Sequence, residues 1–257
     1  MREIQASQIT KVIRDLFIDA NYNLGADVLS AFDRGIAYDE SPVAREVLKE
    51  LKENARIARE EHSPICQDTG LAVIFIDLGQ DVHIAGGDFK EAVNEGVRQG
   101  YSEGYLRKSA CNPFSRKNTK DNTPAVIHLD IVQGDKIRIR AVPKGGGAEN
   151  MSRVMMLAPS AGIEGIKDFI VNRMKESGSN PCPPTVVGVG IGGTFERSHI
   201  WPRKPFCAIS GIGIPIRSWP KSRWRFWRES ISWVSAPWVM EETPLPLMSF
   251  SRSNPAI

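Results

Sequence analysis

Tryptophan is absent from the first 200 residues of this chain, and aspartate is absent after Asp168. All six tryptophans fall between Trp201 and Trp238, so composition divides the chain late in its length. No apolar run approaches the roughly 18 residues that a membrane helix needs, and no membrane span is expected. The opening segment MREIQASQITKVIRDLF carries acids on an amphipathic pattern. It lacks the apolar core and small-residue cleavage site of a secretory leader, so a cytoplasmic location is expected. Excess charge is missing too: 33 basic residues against 30 acidic ones leave +3. No basic face or stripe runs through the first 190 residues, which argues against a nucleic-acid partner. Cysteine is scarce. Cys66, Cys111, Cys182 and Cys207 stand too far apart for a zinc knuckle or a CxxC pair, and disulfides are not expected in this setting. Isolated cysteines are usually small buried residues, so only those inside an unusual motif invite a functional reading.

What is present predicts a mixed α/β (α+β) fold, with helices first and a strand–helix core after them. Ile9, Val12, Ile13, Leu16 and Phe17 follow the spacing of an amphipathic helix. A second helix starts at Ser41-Pro42, a capping residue followed by proline in the first turn, and runs to about Glu61. LAVIFIDLG reads as a strand. Asp88 caps a helix carrying Phe89, Ala92, Val93 and Val97. The polar stretch YLRKSACNPFSRKNTKDNTPA is too long for a plain connector and is either functional or disordered. AVIHLDIV and KIRIRAV, joined at Gly134-Asp135, predict a hairpin. A helix is expected from Ser160 to Lys175, and PTVVGVGIGGT reads as a buried strand running into a glycine turn.

Four segments carry chemistry. Cys66-Gln67-Asp68-Thr69-Gly70 sets a soft thiolate, a good iron ligand, beside an amide and a carboxylate; taken alone it is also a turn with Asp68 and Thr69 as capping residues. Arg107, together with Arg116-Lys117-Asn118-Thr119 and Asp121-Asn122-Thr123-Pro124, supplies cationic forks that suit carboxylates; a solvated surface loop would look the same. Lys144-Gly145-Gly146-Gly147-Ala148-Glu149-Asn150 could expose main-chain N–H groups to an anion, or form a tight turn, and it lacks the spacing of a nucleotide loop. Cys182-Pro183-Pro184 holds a cysteine on a rigid extended segment, as a ligand or as a buried thiol.

In order, CQDTG, RKNTxDNTPA, KGGGxEN and CPPxxVGVGIGGT resemble the class I fumarases and the related tartrate dehydratases, in the α-subunit or N-terminal half, over about residues 4 to 196. The resemblance implies a hydro-lyase that dehydrates a small 2-hydroxy dicarboxylate, malate to fumarate or tartrate to oxaloacetate. It implies a 4Fe–4S cluster held by three cysteines with one iron open to substrate, and a separate β-subunit in a hetro-oligomer. By the same resemblance Cys66 and Cys182 are two of the three ligands. Gln67 and Asp68 contact substrate, Asp68 as the catalytic group; Arg107 clamps a carboxylate; and the main chain of Gly145, Gly146 and Gly147 faces the substrate. Cys111 is incidental. A non-catalytic anion- or metal-binding module is the rival from another class.

The third cysteine and the glycine-rich segment of the family are not found after the GGT turn, and Cys207 lacks the expected context. Back-translation accounts for this. Read one base earlier, Trp238-Val239 and Met240-Glu241 each force a glycine, and Ala236 to Thr243 permits GPLGYGGD. A catalytic domain is therefore expected over residues 1–197, incomplete in this frame, with a poorly ordered out-of-frame tail over 198–257. The tryptophan-rich KSRWRFWRES, which alone would suit an RNA- or membrane-binding arm, is then an accident of translation. Resequencing the gene across codons 194–200 should reveal a one-base slip. A clean read in the present frame, with hydratase activity from this same polypeptide, would overturn the reading.

Overall fold

The computed structural model describes residues 1–200. Trp201 onward, including Cys207 and nearly all of the expected tail, lies outside the described residues. Within them the chain forms two compact units, the first from Met1–Leu24 and Glu53–Gly146, the second from Gly25–Lys52 and residues 147–200.

The first unit is built on one helix pair and one small sheet. Helix α1 (Ala6–Tyr22) follows strand β1 (Arg2–Gln5), and its start is tied by the Gln5 N–H, which donates to Gln8 Oε1 at 3.0 Å. Its predicted stripe is real: Ile9, Ile13 and Phe17 are wholly buried. Helix α2 (Ala26–Tyr38) and helix α3 (Pro42–Glu60) come next in the chain, then strands β2 (Leu71–Gly79) and β3 (Val82–Ala85). Helix α4 (Phe89–Glu103) begins at Asp88, whose Oδ1 accepts the Glu91 N–H at 2.8 Å, the cap read from the sequence. Helices α1 and α4 pack closely because glycines line the contact. A β-carbon on Gly96 would stand 2.7 Å from Ile13 Cβ, and the Thr10 hydroxyl donates to the Ala92 carbonyl at 3.0 Å. The pair covers one face of a sheet through Val93, Val97 and Tyr101 against Ala72, Ile74 and Ile76.

That sheet corrects the expected hairpin. Strands β4 (Val126–Val132) and β5 (Ile137–Lys144) do not pair; β2 runs between them, parallel to β4 and antiparallel to β5. The burial pattern explains the order. Ala72 through Ile76 are buried in succession, so β2 has two apolar faces and takes the centre. Strands β4 and β5, which alternate with polar residues, take the flanks. The link between them crosses the end of β2: Gly79 N–H donates to Lys136 O at 2.8 Å and Asp81 N–H to Gly134 O at 3.0 Å. Strands β1 and β3 pair in parallel as a separate two-stranded sheet.

The second unit holds α2 and the first half of α3, where Ala44 N–H donates to the capping Ser41 Oγ at 3.3 Å. It also holds most of the short helix α5 (Gly146–Glu149), a 3-10 turn at Pro159–Ala161, helix α6 (Gly162–Ser177) and helix α7 (Phe195–Ile200). Helix α2 escaped the sequence reading, although Phe32 is buried on it. The strand expected over PTVVGVGIGGT is not formed. Among the described residues no strand pairs with it, and Val186 and Ile191 are exposed. A strand needs a ladder partner as well as β-branched residues.

The crossing over β2 has a mutational consequence. A β-carbon on Gly79 would lie 2.4 Å from Gly134 O, against main chain that has no free end to swing aside. Gly79→Ala should lower the unfolding free energy in urea by about 1–3 kcal/mol, the usual cost of overpacking.

Candidate functional site

The site grows from the point where β2 begins. Leu71 pairs with Lys144, so the loop entering β2 and the segment leaving β5 lie side by side. Gly70 makes the approach possible. At φ +72° it adopts a conformation that favours glycine, and a β-carbon there would stand 2.1 Å from Gly145 N. Asp68 completes the junction: its Oδ2 accepts the Gly146 N–H at 2.7 Å and its Oδ1 the Gly70 N–H at 3.3 Å. The glycine run thus presents a main-chain N–H to an anion, as its composition suggested, and here that anion is the protein's own half-buried carboxylate.

Cys66 and Gln67 sit on the outer side of this loop, both exposed. The Asp68 N–H donates to Cys66 Sγ at 3.4 Å, and the thiol reaches Gln67 Oε1 at 3.3 Å. Beneath the loop lies Tyr101 of α4, fully buried, with its hydroxyl 2.8 Å from Thr69 O and 3.1 Å from Gly70 O. Burial pushes the Tyr101 phenol well above its ordinary value, and the negative charge of Asp68 adds to the effect. Tyr101 is a fixed neutral donor.

Arg107 arrives by its main chain. Its carbonyl accepts the Thr69 hydroxyl at 2.9 Å, while its guanidinium is exposed and makes no hydrogen bond or ion pair among the described residues. The polar stretch that follows is ordered, and asparagines order it. Asn112 Oδ1 accepts the N–H groups of Phe114 and Ser115, Asn118 Nδ2 donates to Lys108 O at 2.8 Å, and Cys111 bridges Asn118 in antiparallel fashion. Arg116 and Lys117 are exposed on this excursion. Asp121 is occupied structurally: its carboxylate accepts the Thr123 hydroxyl at 2.7 Å and meets Arg98 at 3.3 Å.

Cys66, Gln67, Asp68, Gly145 and Gly146 are therefore gathered at one junction in the first unit, with Arg107 tied to it through Thr69. Gly147 and Cys182 belong to the second unit. There a β-carbon on Gly147 would meet Asn180 O at 2.4 Å, and Cys182, two residues beyond Asn180, is exposed. Among the described residues no group of three or more His, Cys, Asp or Glu side chains could hold a metal ion. The sequence reading missed Tyr101, whose ring fits the apolar face of α4 and gives no sign of its hydroxyl's task. Asn122 it saw only as part of a motif.

Comparison with known proteins identifies the family. Residues 10–209 match the family described as fumarate hydratase (fumerase). A putative L(+)-tartrate dehydratase subunit alpha from Methanocaldococcus jannaschii is 39% identical over 195 residues, 74% of this chain and 68% of that protein. The anaerobic class I fumarate hydratase of Escherichia coli K12 is 36% identical over 151 residues, 57% of this chain and 27% of that protein. The L(+)-tartrate dehydratase subunit alpha of Escherichia coli UTI89 is 26% identical over 202 residues, 77% of this chain and 66% of that protein. The chain thus spans about a quarter of the length of one relative and about two thirds of the other two. With its motifs in order and its matched region covering most of its length, the chain belongs to the fumarate hydratase family.

Proposed function

We propose that this chain is the α part of a hydro-lyase that reversibly dehydrates a small 2-hydroxy dicarboxylate, malate to fumarate, in the cytoplasm and together with a separate β-subunit. The observation that carries the reading is the junction itself. A carboxylate (Asp68), a thiol (Cys66) and an amide (Gln67) stand on one loop, with a guanidinium-bearing segment tied to it. Among the described residues no helix is long and apolar enough to cross a membrane. A second reading is tartrate dehydratase, favoured by the 39% identity to the M. jannaschii subunit.

Class I fumarate hydratases generally depend on an iron–sulfur cluster. Cys66 fits a ligand thiolate: it is exposed, and its sulfur receives a main-chain N–H, the kind of outer contact that supports a ligating sulfur. Cys182 is likewise an exposed thiol. The third thiolate is proposed to come from the tail in its corrected frame, beyond a catalytic domain ending near residue 197. When bound, a 4Fe–4S cluster supplies a Lewis acid for the hydroxyl and an adjacent carboxylate. The chain's own residues do the rest. Arg107 pairs with a substrate carboxylate in a fork, Gln67 orients the substrate by hydrogen bonding, and the main chain of Gly145 to Gly147 faces the substrate. Asp68 holds or moves a proton, with Oδ1 carrying the longer contact, to Gly70, and Oδ2 the shorter one, to Gly146.

Five substitutions test the roles in a frame-corrected chain with its partner subunit. Cys66→Ser and Cys182→Ser should each abolish iron and sulfide content after anaerobic purification, because hydroxyls are poor iron ligands, while Cys111→Ser leaves it intact. Equal loss at all three positions would sink the assignment, and a parent chain without iron or sulfide would favour the non-catalytic module. Arg107→Lys should retain the cluster and lower kcat/KM by roughly 100-fold, through loss of the bidentate fork. Asp68→Asn should act chiefly on kcat. The ratio of malate to tartrate turnover decides between the two readings of substrate.

A further inference from the structure

Asn122 is buried to 1% exposure at the end of the long polar excursion, with φ +63°. Its side-chain amide engages three main-chain groups. Oδ1 accepts the N–H of Ser109 at 2.7 Å and of Ala110 at 2.9 Å, and Nδ2 donates to the carbonyl of Gly70 at 3.2 Å. Two N–H donors on one atom and a carbonyl on the other settle which is oxygen and which nitrogen. The first two partners follow Arg107 by two and three residues; the third follows Asp68 by two. Thr69, 2% exposed, makes the same connection in the opposite sense, its hydroxyl donating to the Arg107 carbonyl at 2.9 Å. None of these partners is paired in a sheet ladder, so side chains alone hold the two segments in register. They tie the chain at Arg107 and just after it, and leave its guanidinium exposed.

We infer that Asn122 and Thr69 are positioning residues that set the Arg107 segment against the Cys66–Gly70 loop, so that the spacing between guanidinium and Asp68 carboxylate is held before substrate arrives. The inference rests on the reading of Arg107 as a carboxylate clamp. Neither residue touches substrate in this scheme. A buried threonine or asparagine serving the fold alone would lose global stability when replaced; a clamp loses the register of two particular segments and, with it, recognition of both ends of a dicarboxylate.

The test uses the frame-corrected chain with its partner subunit and two readouts. Thr69→Val keeps shape and removes the hydroxyl; Asn122→Asp keeps the acceptor, tolerates the positive φ and removes the donor to Gly70. Hydrogen exchange followed by mass spectrometry should accelerate roughly tenfold, the effect of one lost buried hydrogen bond, in both the 66–70 and 107–110 segments, with α1 and α4 unchanged. Thr69→Ser should restore the parent pattern. Acceleration confined to the mutated residue's own segment, or spread through α1 and α4, would overturn the clamp. The second readout is calorimetric binding of succinate, a saturated four-carbon dicarboxylate. Thr69→Val should weaken it about tenfold, and Thr69→Ser should not. Succinate bound equally by the parent and Thr69→Val would overturn the positioning role. A parent chain that binds no succinate would overturn the dicarboxylate reading instead, and the exchange pattern then decides the clamp alone.

Discussion

Two stretches of main chain meet where Gly70 passes Lys144 and Gly145, with no room between them for even one β-carbon. Everything at the site depends on that approach. It follows from the antiparallel register of β2 and β5, which places Leu71 opposite Lys144 and carries the loop before one strand onto the segment after the other. Only then can the Asp68 carboxylate reach the Gly146 N–H, 78 residues away in sequence. The sheet is thus more than a support. Its central strand, buried on both faces, fixes the height at which a thiol, an amide and a carboxylate are offered on one short loop.

The elements visible in the sequence were those whose signal is local. The stripe Ile9, Ile13, Phe17 repeats within one helix, and Asp88 caps its own helix three residues away, so both could be read from neighbours alone. The hairpin failed because its premise was also local. Adjacent strands with a Gly-Asp turn pair by default, and only the two-faced burial of β2 displaces them. The same limit applies to PTVVGVGIGGT, whose β-branched residues say nothing about whether a partner strand exists. The site itself was half legible. Cysteine, aspartate and the glycines announced themselves by type, whereas Tyr101 is indistinguishable in sequence from any aromatic on an apolar helix face. The tasks of Thr69 and Asn122 are fixed by partners tens of residues away.

The glycine run shows how the chemistry of a motif and its use can differ. Exposed main-chain N–H groups attract an anion, and the sequence left open which one. One of them takes an aspartate of the same chain. A charge-assisted hydrogen bond of this sort orients the carboxylate and leaves its second oxygen with a longer, weaker contact to Gly70. The two oxygens of Asp68 are thereby made unequal.

Behind the exposed groups the supporting contacts come from neutral donors: the Tyr101 hydroxyl, the Thr69 hydroxyl and the Asn122 amide, all buried. The choice matters electrostatically. A charged support would act on Asp68 and on any bound dicarboxylate through a low-dielectric interior, and its own titration would alter the site. Tyr101 avoids this because burial and the Asp68 charge both raise its phenol, so the proton that ties it to the Thr69 and Gly70 carbonyls stays in place through neutral and mildly alkaline pH. Threonine and asparagine do not titrate at all. Net charge is left to Asp68 on the loop and to Arg107, while the side chains that tie their two segments together keep one charge state through that range.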